Sequence, residues 1–153
     1  MTKRQERENV FRMLFKAGFV APDEMEESVS INLDSMREEP DEEEFLFLHD
    51  SEPLDEADEE KLKTKVAAII EKLPEIDGQI DAAATGWSVE RIGRAELAIL
   101  RLAVYEMYYD EEVPLKVAIN EAVELSKIYC GDEARAFVNG ILGKISSKEN
   151  SDN

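Results

Sequence analysis

The chain has 153 residues, of which 43% are hydrophobic and 35% charged, and its net charge is −18. This length and composition are typical of one domain with a single core and a highly charged surface. No apolar run approaches the roughly 18 residues that span a bilayer, and no apolar stretch follows the basic N-terminal residues as it would in a secretory signal. The chain has one cysteine, Cys130, so it forms no internal disulfide. With one histidine, His49, it also has too few ligands for a protein-only zinc site. We therefore expect a cytoplasmic protein without a cofactor.

The negative charge is concentrated in one acidic segment, residues 21–60. This segment has eighteen Asp or Glu residues against Arg37 alone, a net −17, whereas residues 1–20 carry a net +3. The Debye length is about 8 Å at physiological salt, so a distant acidic segment does not cancel a basic surface at contact range. The overall charge therefore does not exclude a nucleic acid as partner.

The first predicted element is an amphipathic helix over residues 3–17, which Gly18 is suited to end. Lys3, Arg4 and Arg7 lie at three- and four-residue spacing near its start, on a shared face. Basic residues in a first turn oppose the helix dipole unless an anion offsets them. Taken alone, the pattern favours an ordinary solvated basic face, and an anion-binding surface is the alternative.

Beyond the first helix the apolar spacing stays helical, and we find no strand pattern, internal repeat or glycine-rich phosphate loop. Pro74 interrupts one helix, Ser88 is a candidate N-cap, and Pro114 is well placed to start a helix. An apolar stripe follows Pro74 as far as Gly86. The other predicted helices cover residues 23–37, 41–50, 54–72, 89–109, 115–129 and 133–145.

The most apolar helix, over residues 89–109, is typical of a central core helix. Asn120 and Asn139 are polar positions within apolar helices, and we predict that they are buried hydrogen-bonding groups that fix helix packing. Asp132 is predicted to cap the last helix. The fold class is therefore all-α.

The stretch from Trp87 to Lys144 resembles the C-terminal half of the NusB family. The matching motifs, in order, are LRLAVYE at 100–106, VPLKVAINEAVEL at 113–125 and FVNGIL at 137–142. The first helix is also similar to the arginine-rich first helix of the family. Together these cover about half of the chain, and the acidic segment shows no such resemblance.

The resemblance implies a helical bundle of about seven helices in two sub-bundles, with residues 1–146 as one domain and 147–153 as a polar, frayed tail. It implies a transcription antitermination factor that supports ribosomal RNA transcription. Its partners would be boxA, a single-stranded RNA element, the small-subunit ribosomal protein NusE, and the antitermination complex with RNA polymerase. Monomer and homodimer both stay open.

The resemblance also implies an RNA site, with basic side chains for the phosphates, aromatic rings for unstacked bases and carboxylates for base edges. Phe15 stands where the family often has a tyrosine that contacts the partner protein. Without the family, Phe137 and Tyr129 would be core or half-buried positions and Asp132 a helix cap. The RNA-binding residues predicted in this way are Lys3, Arg4, Arg7, Tyr129, Asp132, Glu133 and Phe137.

No paired carboxylates, Ser/His/Asp set or Cys/His set indicates catalysis, so we expect no enzyme. NusB-like domains also precede RNA cytosine methyltransferases, but the cofactor loop and nucleophilic cysteine of those enzymes are lacking here. The alternative is a protein-interaction module with weak or lost RNA binding. This alternative is favoured by the acidic segment and by Glu6 and Glu8, which stand among the basic residues of the first helix. It is also favoured by Ala136, which stands where the family often has a basic residue.

We predict that the acidic segment weakens RNA binding by long-range repulsion, without touching the RNA. Changing Glu42, Glu43 and Glu44 to glutamine should speed RNA association at low salt and have little effect near physiological salt, because salt screens distant charges first. Association kinetics of the wild type and the triple variant across a salt series test this. Coincident curves at low salt would contradict it, and curves that stay apart at high salt would place the carboxylates at the site itself.

Overall fold

The computed structural model describes residues 1–19, 24–25, 55–84 and 91–151. Within these ranges the chain forms six helices and no strand, so the predicted all-α fold class is confirmed. Two predicted helices, over residues 23–37 and 41–50, lie outside the described residues, except for residues 24–25 of the first. Ser88 and His49 also lie outside them. The helices are α1 (Lys3–Ala17), α2 (Glu56–Glu71), α3 (Leu73–Ala83), α4 (Arg94–Tyr108), α5 (Leu115–Tyr129) and α6 (Asp132–Ser151).

The bounds of α1 and α5 agree with the prediction because local signals set both ends. At the start of α1, Gln5 N–H donates to the Thr2 hydroxyl at 3.1 Å, and Thr2 N–H donates to Gln5 Oε1 at 2.8 Å. This capping box satisfies two backbone donors. At its end the Gly18 N–H donates to the Leu14 carbonyl at 2.9 Å. Pro114 precedes α5 as its N-cap instead of standing inside its first turn.

Two other helices differ from the prediction at their ends. α4 begins at Arg94, with Gly93 as N-cap, several residues after Ser88. A Cβ at Gly93 would collide with the carboxylate of Glu96, so a glycine here lets that side chain fold back over the helix start. α6 includes Asp132 and runs to Ser151, past the predicted end at 145, because no glycine or proline after Gly143 interrupts the backbone ladder.

The chain divides into two compact units, Met1–Ile70 and Glu71–Asn153. In the second unit, α4 contacts α3, α5 and α6, which confirms the prediction of a central core helix. Its buried apolar side chains are Ala98, Ile99, Leu100, Leu102, Ala103 and Val104. None of the helices in the described part of the chain is both long and apolar enough to cross a membrane.

The prediction that Asn120 and Asn139 are buried is wrong, since both are exposed. Asn120 lies two residues from Ala118 and from Ala122, which are both buried. Two residues turn a helix by about 200°, so Asn120 faces the opposite side of α5. Asn139 likewise lies two residues before the buried Ile141. The polar residues therefore follow the solvent stripe of each helix.

A two-point ion pair joins α3 to α4 in the second unit. Arg101 Nε donates to Asp77 Oδ1 at 2.9 Å, and a terminal nitrogen of the same guanidinium donates to Oδ2 at 2.8 Å. The Arg101 side chain is only 11% exposed. Charge-assisted pairs of this geometry are stronger than neutral hydrogen bonds and fix the relative orientation of the two groups.

Asp77→Ala should lower the free energy of unfolding by about 2–3 kcal/mol, because it leaves the nearly buried Arg101 charge without this partner. Glu75→Ala, an exposed change on the same helix, should cost less than about 0.5 kcal/mol. Urea denaturation followed by circular dichroism measures both. Equal effects of the two variants would show that the pair does not stabilise the fold.

Candidate nucleic-acid interface

The basic residues at the start of α1 differ in exposure. Lys3 and Arg4, in the first turn, are exposed. Arg7 is only 7% exposed, because α1 is covered on most sides from its second turn onward. Lys3 and Arg4 are therefore the accessible cations of the predicted trio, and an RNA contact by Arg7 requires its guanidinium to be uncovered.

The carboxylate of Glu6 lies between α1 and α2 in the first unit. Its Oε2 is 3.3 Å from Lys61 Nζ, and its Oε1 is 3.9 Å from Lys65 Nζ. From the sequence, Glu6 was expected to weaken RNA binding because it stands among the basic residues of α1. In the folded unit two ammonium groups face this carboxylate, so its charge is compensated.

The connector between α5 and α6 gathers the other predicted residues. Tyr129 ends α5, and Gly131 has a positive φ of 91°, a conformation that favours glycine. This tight turn places Asp132 and Glu133 at the very start of α6 and Phe137 about one turn later. All four positions therefore lie within a short distance of the connector along the chain.

The exposure of these four side chains suits contact with a ligand. Asp132 and Glu133 are exposed, whereas Tyr129 and Phe137 are both half-buried. Neither ring belongs to the fully buried core, where Val138 and Leu142 lie. A half-exposed ring on a helix that is anchored by buried neighbours is a suitable stacking surface.

Phe15 belongs to an aromatic pair at the end of α1. Its half-buried ring makes a T-shaped contact with Phe19, with ring centroids 5.2 Å apart and planes at 86°. Phe19 is 55% exposed and was not among the residues predicted from the sequence. Its position four residues after Phe15 could have identified it, because that spacing continues the apolar stripe beyond Gly18.

The reactive side chains near the connector do not support catalysis. Burial, and secondly the carboxylate of Glu96, raise the pKa of the Cys130 thiol to about 12. The thiol is therefore protonated at neutral pH, which disfavours both nucleophilic attack and metal binding. Within the part of the chain that the structure describes, no three His, Cys, Asp or Glu side chains come together in a way that could hold a metal ion.

A second group of aromatic residues, which was not predicted from the sequence, lies in the unit Glu71–Asn153. The rings of Tyr105 and Tyr109 stack with centroids 5.7 Å apart, and Lys72 Nζ lies 5.6 Å from the centroid of Tyr109. Burial, and secondly the charge of Asp110, raise the pKa of Tyr105. The cation–π contact ties Lys72, at the start of α3, to Tyr109, at the end of α4, whereas the stacking contact lies within the end of α4.

Comparison with protein families and with curated sequences gives one consistent result. The model of the NusB family matches residues 4–147. A transcription antitermination protein NusB of Lachnoclostridium phytofermentans is 43% identical over 145 residues, which cover 95% of this chain and 98% of the relative. The NusB of Agathobacter rectalis is 42% identical over 146 residues, which cover 95% of this chain and all of the relative.

Solved structures of similar fold point to the same group. The chain superposes on NusB of T. maritima with a TM-score of 0.75 and 28% identity, covering 96% of this chain and 92% of that one. It also superposes on a chain from the structure of the antitermination factors NusB and NusE in complex with double-stranded RNA, with a TM-score of 0.67 and 22% identity. That second match covers 97% of this chain and 99% of the other, and it concerns the fold alone.

Phe137→Ala separates a stacking role from a packing role. Loss of a stacked base should weaken RNA binding by about 1–3 kcal/mol, with a smaller loss of stability than for a fully buried side chain, because the ring is half-buried. The control is Leu142→Ala in the same helix, where removal of a fully buried side chain should cost about 2–5 kcal/mol of folding free energy. If Phe137→Ala destabilises the fold as much as the control and leaves RNA affinity unchanged, Phe137 is not an RNA contact.

Proposed function

The chain belongs to the NusB family, and on that premise we propose that it is a transcription antitermination factor that binds boxA-type single-stranded RNA together with the ribosomal protein NusE. In this role it supports ribosomal RNA transcription in the cytoplasm, within an antitermination complex with RNA polymerase, and it is not an enzyme. The observation that carries the proposal is the extent of the family match, residues 4–147. The match includes all of α1 except Lys3, the α5–α6 connector and almost all of residues 1–146, which we take as one functional domain.

The start of α1 suits the phosphate backbone. Lys3 and Arg4 stand in the first turn, where the backbone N–H groups form the positive end of the helix dipole. A phosphate that approaches this end is attracted by the side chains and by the backbone together.

The connector suits bases rather than phosphates. Asp132 and Glu133 would repel a phosphate, but their carboxylates accept hydrogen bonds from the N–H groups of base edges. Tyr129 and Phe137 present rings at the same place, and stacking of one base on an aromatic side chain is worth about 1–3 kcal/mol. Splayed bases of a single strand can reach such groups, whereas paired bases in a duplex cannot.

The aromatic pair Phe15–Phe19 is the proposed contact for the ribosomal protein. Aromatic residues are enriched at protein interfaces, where a few of them supply most of the binding free energy. Phe19 is largely exposed and is supported by the ring of Phe15, so little side-chain entropy would be lost on binding. Phe15 alone, being half-buried, offers a smaller contact area.

A second function has specific support: a protein-interaction module that binds NusE and has weak or lost RNA affinity. Arg7 is buried, which removes one predicted cation from the surface. The exposed Ala136 beside the connector provides no cation where the family often has one. The two functions make the same prediction for the protein partner and opposite predictions for RNA.

Charge reversal of Lys3 and Arg4 to glutamate should abolish binding of a boxA-like RNA oligonucleotide while binding of NusE and helical content stay unchanged. Each lost phosphate contact should also flatten the dependence of log Kd on log salt by about 0.7. Lys116→Glu, an exposed reversal in the second unit, is the matched control and should have little effect. Fluorescence anisotropy over a salt series measures all of these. A wild-type protein that binds NusE but not RNA would establish the second function instead.

A further inference from the structure

The start of α1 has a neighbouring cation, Lys61, that lies outside the family motifs. Lys61 Nζ lies 3.3 Å from Glu6 Oε2, and the Lys61 side chain is nevertheless 58% exposed. Glu6 itself is only 11% exposed. The ion pair therefore brings an ammonium group of α2 to the surface beside the first two turns of α1.

The two lysines that face Glu6 are placed for different tasks. Lys65 is only 14% exposed and lies 3.9 Å from the carboxylate, so it compensates the nearly buried charge. Lys61 points outward, and an ammonium group has three N–H donors. Pairing with one carboxylate oxygen leaves Lys61 able to bind a second anion. Glu6 and the two lysines together carry a net positive charge.

The exposed ammonium of Lys61 continues the basic surface of α1. Lys3 and Glu6 are three residues apart on the helix, which puts their Cβ atoms about 5–6 Å from each other. Lys3 is exposed, so cations flank Glu6 on both sides, one from each helix. A phosphate chain that contacts Lys3 therefore has another cation within reach at Lys61.

Other charges of α2 limit this surface. Glu56, Asp58 and Glu59 occupy its first turn, and Asp58 Oδ2 lies 4.0 Å from the N-terminal ammonium. Phosphates are repelled from that end of α2, so Lys61 marks the boundary. Lys63 is also exposed, but it lies about 200° further round the helix, on the side away from Glu6.

We propose that Lys61 is a further RNA-contacting residue, which binds a backbone phosphate of the RNA that occupies the start of α1. The ammonium group of Lys61 stays paired with Glu6 and donates to the phosphate as well, and the negative charge of Glu6 weakens this second contact. The inference rests on the proposed function, since it assumes RNA at α1. It adds a second helix to the phosphate contacts of the first unit.

The test compares Lys61→Ala with Lys63→Ala in the full-length chain, with a boxA-like single-stranded RNA oligonucleotide as probe. Lys61→Ala should weaken binding about fivefold near physiological salt and flatten the slope of log Kd against log salt by about 0.7. Lys63→Ala removes the same charge from the same helix and should change affinity less than about twofold, since a distant charge is screened. Equal effects of the two variants would overturn the proposal.

Glu6→Gln distinguishes a phosphate contact from a purely structural pair. If Lys61 contacts RNA, removal of the negative charge of Glu6 should tighten binding, and Lys61→Arg should keep it. If Lys61 acts only by holding Glu6, then Glu6→Gln should weaken binding as much as Lys61→Ala does, and the proposal fails.

Arg4→Glu, measured in parallel, separates this inference from the proposed function. Loss of binding in Arg4→Glu with no effect of Lys61→Ala would remove Lys61 alone from the RNA site. An RNA affinity that neither variant changes would place the RNA away from α1, which contradicts both the inference and the assignment of α1.

Discussion

An α-helix that is apolar around most of its circumference is stable in water only when other elements cover it on several sides, and α4 is such a helix. Six consecutive or near-consecutive apolar residues between Ala98 and Val104 are buried, and full burial of each large aliphatic side chain is worth about 1.5–3 kcal/mol. α3, α5 and α6 provide the cover. The Arg101–Asp77 pair adds a directional constraint that burial alone lacks, because the hydrophobic effect does not depend on orientation.

This arrangement also determines what the second unit presents to solvent. Once the apolar stripes of α5 and α6 face inward, their polar stripes and the connector between them face outward. Gly131, with its positive φ, permits a turn so short that α6 begins at Asp132, three residues after α5 ends at Tyr129. The helices that carry Tyr129 and Phe137 have buried anchors, so the proposed stacking of bases on these rings would cost little conformational entropy.

In the first unit the governing constraint is electrostatic. α1 is covered from its second turn, and a buried charge costs several kcal/mol unless it is paired. Glu6 meets this requirement through Lys61 and Lys65. The net charge of −18 is a sum over the whole chain, whereas a charge acts on this surface mainly within the Debye length of about 8 Å. Acidic residues at the start of α2 lie within that range, since Asp58 Oδ2 is 4.0 Å from the N-terminal ammonium, so the local charge balance includes them.

Local signals in the sequence were sufficient for much of the fold. The capping pair at Thr2, and the proline and glycine on either side of α5, set helix ends through backbone chemistry within a few residues. Periodicity identified α4 as the central helix, and three motifs between Trp87 and Lys144 pointed to the family.

Only the tertiary structure decided which polar residues are covered: Arg7 is buried, whereas Asn120 and Asn139 are exposed. The same is true of the pairing between Glu6 and Lys61, because these residues are separated by more than fifty positions, and periodicity within one helix carries no information about which charge of a distant helix it will meet.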